Sequence, residues 1–173
     1  MSDPRFPIGE FTPPASYTDE QITAWIKEIE TLPGRVHHAV LGFTQKDYDI
    51  PYRTGGWTVR QVIHHLADSH ANAFMRIKLA LSEDNPTIRP YEQAEIALLP
   101  DYKMPVAPSM KMLEGMHQRW VTLLHGLDAT QWKRTFYHPG YQKQYNLQQA
   151  TGMYAWHGNH HLGHIRIVAD GLK

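Results

Sequence analysis

The stretch from Leu147 to Val168, LQQATGMYAWHGNHHLGHIRIV, holds four of the chain's twelve histidines within eight residues, and it reads as a metal-binding helix. On an α-helix, at about 100° per residue, Leu147, Ala150, Tyr154, His157, His161, Ile165 and Val168 fall in one arc of roughly 80°. That arc is a core-facing stripe, and two of its members are histidines. His157 and His161 stand one turn apart, so both imidazoles reach one cation. His160 and His164 share the spacing but lie nearer the edge of the stripe. Spacing alone does not choose between the pairs. The apolar stripe favours His157 with His161, because a partly dry site holds ligands with less competition from water.

A histidine on an apolar face is more often a hydrogen-bonded core residue than a ligand, so a second group on another helix carries weight. Thr58-Val-Arg-Gln61 is a capping box opening a helix to about Ser82, with Val59, Val62, Leu66, Ala73, Ile77 and Leu81 as its inner face. On it, His65 leans inward more easily than His64, and His70 falls near the middle of the apolar face as a hydrogen-bonded core histidine. Asp68, one turn on, is placed to orient a ligand imidazole or to pair at the surface with Arg60 or Arg76. His37 and His38 have no ligand-spaced partner and read as surface residues.

The remaining chain supplies a frame for these two helices. Residues 1–16 carry Pro4, Pro7, Pro13 and Pro14 and read as an extended arm anchored by Phe6, Ile8 and Phe11. Thr18-Asp-Glu-Gln21 opens a first helix to about Gly42, which Pro33-Gly34 should kink or briefly break. Asn85 to Pro108 has five prolines and no amphipathic period; a connection of that length is a candidate pocket rim around Arg89-Pro-Tyr-Glu92, or a plain crossover. Ser109 opens a third helix ending near Gly126, with Met112, Met116, Trp120, Leu123 and Leu124 inward. Residues 134–145 form a small irregular hairpin, and Asn146-Leu-Gln-Gln149 caps the histidine helix. The expected fold is all-α: a single-domain four-helix bundle, residues 1–173, with a long crossover connection.

Composition narrows the chemistry. Lys plus Arg and Asp plus Glu are both 17, so no basic stripe suggests nucleic acid, and no run approaches a membrane span. There is no cysteine, which leaves nitrogen and oxygen as the only metal ligands. The N-terminus lacks an apolar signal region, so the default compartment is the cytoplasm. Geometry suggests His65, His157 and His161 around one divalent ion, zinc first and nickel second; three imidazoles with an open position describe a catalytic site.

Several segments closely resemble the YfiT family, a branch of the DinB-like metal-dependent bundle superfamily. They are Phe6-Pro-Ile-Gly-Glu10, Gly55-Gly-Trp-Thr-Val-Arg-Gln-Val62, His64-His-Leu-Ala-Asp-Ser-His70, Ile88-Arg-Pro-Tyr91, Thr135-Phe-Tyr-His-Pro139 and Tyr154-Ala-Trp-His157. The resemblance implies a homodimeric four-helix bundle of DinB/YfiT type with a three-histidine metal site. It also matches His161-Leu-Gly-His-Ile165 to the family's last ligand, which agrees with the stripe. Family members include metal-dependent hydrolases and S-transferases that use bacillithiol. The resemblance therefore implies, first, an S-transferase joining a low-molecular-weight thiol to an electrophile through a metal-stabilised thiolate. The alternatives are an amide or ester hydrolase using metal-activated water and a non-catalytic binding module steadied by metal. Arg53, Arg89, Tyr91 and Arg119 are candidate contacts for an acidic thiol.

Overall fold

The computed structural model describes residues 3–172. Four long helices, α1 (Asp19–Ala39), α2 (Val59–Ser82), α4 (Ala107–His125) and α5 (Leu147–Gly171), are joined by connections that carry a one-turn helix, α3 (Gln93–Ile96), and a hairpin of β1 (Thr135–His138) and β2 (Lys143–Asn146). The starts of three helices follow from side-chain caps. Thr18 accepts from the Gln21 amide at 3.2 Å and Asn146 from the Gln149 amide at 2.7 Å. Thr58 and Gln61 satisfy each other's backbone donors as a reciprocal box. The third long helix begins at Ala107, ahead of the expected Ser109, because Pro108 in its first turn has no amide that needs a partner.

The helices form a bundle whose chain order is not simply up and down. α1 packs on α4 and α5, and α2 packs on the same two, so α1 faces α2 across one diagonal and α4 faces α5 across the other. Along α2, His64 meets Ser109, His70 meets His117 and Phe74 meets Trp120, so α2 and α4 run parallel. Two consecutive parallel helices require the chain to travel back along the bundle between them. Residues 83–106 do this, which is the expected crossover. Arg60 pins it: its guanidinium pairs with Asp49 at 2.8 Å and donates to the carbonyls of Met104 and Gln45. His64 adds contacts to Ser109 and the Met104 carbonyl. α1 and α5 also run parallel, and they approach closely where α5 has no side chain. A Cβ at Gly158 would lie 2.6 Å from Leu32, and one at Gly152 would lie 2.8 Å from the Trp25 ring.

The apolar interior is split in two. Ile22, Ile26, Ile29, Phe74, Ile77, Trp120 and Leu147 belong to one half, and Leu32, Val36, Ile63, Leu66, Leu113, Leu162 and Ile165 to the other. Between them lies a layer of histidines from α2, α4 and α5. No helix among the described residues is long and apolar enough to cross a membrane.

Two sequence expectations fail here for identifiable reasons. Pro33 does not break α1, which stays helical through Ala39 with Pro33 buried inside it. A proline costs a helix the bond from its own position to the carbonyl four residues earlier, here Ile29. That carbonyl is taken by the His117 ring at 2.6 Å, so the vacancy is filled from another helix. On α4, Trp120 and Leu124 are buried as expected, but Met112 is exposed and its neighbour Leu113 takes the core position, so the buried stripe is shifted toward Leu113 and His117.

Candidate metal centre

His65 enters the histidine layer from α2, and His157 and His161 enter it from the antiparallel α5. One ring nitrogen from each lies within 4.8 Å of the others, and His65 Nε2 stands 3.3 Å from His157 Nε2. His160, His161 and His164 form a second such group, sharing His161. Hydrogen bonding separates the two.

Backbone carbonyls can only accept, so a histidine bonded to one must donate, and this fixes the proton on each ring along a chain. His117 Nδ1–H donates to the Ile29 carbonyl at 2.6 Å, leaving Nε2 of that ring as an acceptor. It accepts from His70 Nδ1–H at 3.0 Å, and His70 Nε2 in turn accepts from His157 Nδ1–H at 3.2 Å. His157 Nε2 is left with its lone pair turned toward His65.

A shorter chain does the same for His161. His164 Nε2–H donates to the Arg5 carbonyl at 3.4 Å, and His164 Nδ1 accepts from His161 Nδ1–H at 3.3 Å. The lone pair of His161 then sits on its Nε2, and both nitrogens of His164 are occupied. This is the pattern in which the outer nitrogen of a metal-binding imidazole is held by a neighbour. The donor set His65, His157 and His161 therefore fits a divalent cation, whereas in the second group both nitrogens of His164 are already engaged, which leaves it short of a third ligand.

Burial keeps the layer uncharged. Desolvation pushes His65, His117 and His164 down to about 4 and lowers His70, His157 and His161 well below the ordinary histidine value. Neutral imidazole is the form that binds metal. A histidine that refuses in the folded state a proton it accepts unfolded contributes stability that is complete above about pH 6.5 and lost as pH falls toward 4. Thermal melts of the metal-free protein should be flat above pH 7. Below that they should fall steeply, at a cost of about 1.4 kcal/mol per pH unit for each such histidine. A melting temperature unchanged from pH 7 to 4.5 would contradict this.

The surroundings cover one side of the layer and open the other. Trp57 packs on His65 at 4.7 Å and lies nearly parallel to His161 at 6.3 Å, and Tyr52 stacks on His164 at 3.9 Å. The N-terminal arm crosses α5 beside them, with Phe6 near His160 and Trp156 donating to the Gly9 carbonyl. On the other side a cavity of about 340 Å³ reaches His157, lined also by Ser69, Arg76, Tyr91, His138 and Tyr154.

Of the other residues singled out from sequence, Tyr91 lines this cavity. Arg89 contributes only its carbonyl, which accepts from Arg76. Arg53 lies on the covered side, stacked over Tyr52 at 5.5 Å. Arg119 does not join the site: two residues from inward His117, it is turned about 200° to the outer face, where it sits exposed over Phe74. Asp68 orients no histidine and pairs with neither Arg60 nor Arg76; its carboxylate accepts from Tyr102 at 2.7 Å, on the side of α2 that meets the crossover. His37 and His38 are exposed, as expected. Arg76, missed in the sequence, is 11 residues beyond His65, which is about three turns and so nearly the same side of α2.

A parallel-paired bundle with imidazoles converging from two facing helices defines a metal-site helical bundle. The chain belongs to the DinB superfamily, whose description matches residues 28–165. A Bacillus cereus (strain AH820) protein named "Putative metal-dependent hydrolase" is 52% identical over 173 residues, covering 100% of this chain and 99% of its own. A Bacillus mycoides (strain KBAB4) protein of the same name is 49% identical over the same span. The solved structure of YfiT from Bacillus subtilis, described as a probable metal-dependent hydrolase with an unusual four-helix bundle topology, superposes with a TM-score of 0.94 at 43% identity. It covers 98% of this chain and 97% of that one.

Proposed function

We propose that this chain is a metal-dependent hydrolase in which His65, His157 and His161 hold one divalent ion, zinc or nickel. The carrying observation is that the lone pairs of His157 and His161 are aimed by chains ending on backbone carbonyls, beside a cavity that reaches His157. Held by these three residues with a position left open, such an ion would lower the pKa of a bound water to about 7 and polarise a substrate carbonyl. The chain's own residues supply the rest. Trp57 and the N-terminal arm exclude water from one side of the ligands. Tyr154, whose proton is held by burial, accepts from Arg76 at 3.0 Å and keeps its O–H for an acceptor in the cavity, such as a substrate carbonyl.

The names of the relatives support hydrolysis over the thiol transfer first expected from the family resemblance. The two share a site and differ in the nucleophile. Metal-loaded protein without a histidine tag should cleave members of an ester and anilide panel in water alone, lose that activity to a chelator and regain it with metal. Turnover that appears only when a low-molecular-weight thiol is added would replace this reading with the transferase. A loaded protein inert to both would leave a binding module.

A further inference from the structure

The cavity that reaches His157 also holds an arginine with no acid to balance it. Arg76 is half-buried; it donates to the Tyr154 hydroxyl at 3.0 Å and the Arg89 carbonyl at 3.3 Å, and lies 6.0 Å from the Tyr91 ring. All three partners are neutral. Among the described residues, ion pairs join Arg5 to Asp3, Lys27 to Glu30, Arg35 to Glu28 and Arg60 to Asp49, and none reaches Arg76. Arg60 makes the contrast plain, because that guanidinium also leaves solvent and brings Asp49 with it at 2.8 Å. The bonds to Tyr154 and Arg89 use two of five guanidinium donors and neither partner carries a charge, so the cation itself is left uncompensated.

A second observation lies on the same wall. His138, at the end of β1, has its Nδ1 out of solvent with no hydrogen-bond partner among the described residues. An orphaned polar atom beside an unbalanced cation is what a pocket shaped for a polar ligand looks like before the ligand arrives. His138 and Arg76 come from separate elements, and with Tyr91 and Tyr154 they enclose a space suited to a small molecule.

We propose that Arg76 and His138 bind an anionic group, carboxylate or phosphoryl, on a small substrate whose reacting bond lies at the His157 end of the same cavity. The inference rests on the metal-centre reading of His65, His157 and His161. It adds a substrate class, small acids, and a polarity: the anion is held toward the hairpin and the reacting bond toward the histidine layer. Planar carboxylate or phosphoryl oxygens match the guanidinium fork, and the tyrosines pack the intervening part.

The test uses cobalt-loaded full-length protein, whose visible spectrum reports ligands arriving at the metal whether or not anything turns over. Three hydroxamates serve as probes: neutral acetohydroxamate, N-hydroxysuccinamate with a carboxylate tail, and phosphonoacetohydroxamate with a phosphonate tail. Wild type should bind at least one acidic probe about tenfold or more tighter than acetohydroxamate, and the preferred tail identifies the anion. In Arg76→Gln, which keeps a polar side chain but removes the charge and the fork, that preference should collapse toward unity while the hydroxamate end of acetohydroxamate still reaches the metal. Arg76→Lys should retain part of it, and guards against a Gln variant that fails to fold. Acidic probes no tighter than acetohydroxamate, or a preference that survives Arg76→Gln, would overturn the anion site alone. Failure of acetohydroxamate itself to perturb the cobalt would overturn the metal-centre reading and this inference with it.

Discussion

Replacing His161 by alanine should reduce metal loading from about one ion per chain to background, and turnover by a factor of about 10³ or more. The size of the effect follows from the geometry. His161 provides one of three nitrogens that lie within 4.8 Å of each other. With only two imidazoles left, the site no longer resembles any ordinary catalytic site, in which three protein ligands hold the ion. The substitution also strips His164 Nδ1 of its donor in a buried setting, so some loss of stability accompanies the loss of metal. Metal analysis of tag-free protein separates the two effects, because His37→Ala removes an exposed imidazole and should change neither. His160→Ala should also keep the metal, since that ring stacks on Trp156 outside the proposed donor set. Full metal content in His161→Ala would contradict the account.

His117→Phe should lower metal affinity by about 10–100-fold, although His117 touches no proposed ligand of the ion. The effect travels along the chain from the Ile29 carbonyl through His117 and His70 to His157. A phenyl ring at position 117 fills the space but neither donates nor accepts. The His70 ring is then free to reverse its proton, and the lone pair of His157 is no longer directed to Nε2. Two buried groups also lose partners: the His70 Nδ1–H and the Ile29 carbonyl, which Pro33 has already deprived of a helical bond. Each costs about 1–3 kcal/mol, so the melting temperature should fall as well. Stability alone does not distinguish positioning from packing, and ring ¹⁵N NMR does. In metal-free wild type His157 should carry its proton on Nδ1 alone; in the variant the signal should become a mixture of tautomers. An unchanged His157 tautomer with unchanged affinity would show that the chain orients nothing.

The proposed ligands were legible because helix periodicity is local. The three-and-four spacing that puts His157 and His161 on one stripe needs nothing beyond the sequence of α5, and the side-chain caps at Thr18, Thr58 and Asn146 are readable in the same way, although only Thr58 with Gln61 forms the full reciprocal box. What failed was whatever depends on another helix. His70 read correctly as a bonded core histidine, yet its partners, His117 and His157, lie 47 and 87 residues away, so no spacing rule could name them. Pro33 looked like a helix breaker because its cost is local, while the group that offsets it, His117, arrives from α4. Arg119 reads from sequence as an edge position beside the inward stripe of α4, but His117 turns inward there and carries Arg119 to the outer face.

The length of the connection from Asn85 to Pro108 predicts the crossover, but the diagonal pairing of α1 with α2 is not legible, since periodicity says which face is buried and not which helix covers it. Arg76 had a usable signal that went unread: a cation about three turns from a ligand histidine on the same face of α2. Asp68 shows the opposite error, a carboxylate given to the nearest histidines when Tyr102 of the crossover claims it.

The most direct test of the metal centre is a crystal structure of the loaded protein with anomalous data collected at the absorption edge of its metal. The account predicts one peak per chain, about 2.0–2.1 Å from a ring nitrogen of each of His65, His157 and His161, with a remaining position open toward the cavity beside Arg76 and Tyr91. A peak among His160, His161 and His164, or an ion closed by a fourth protein ligand, would contradict it.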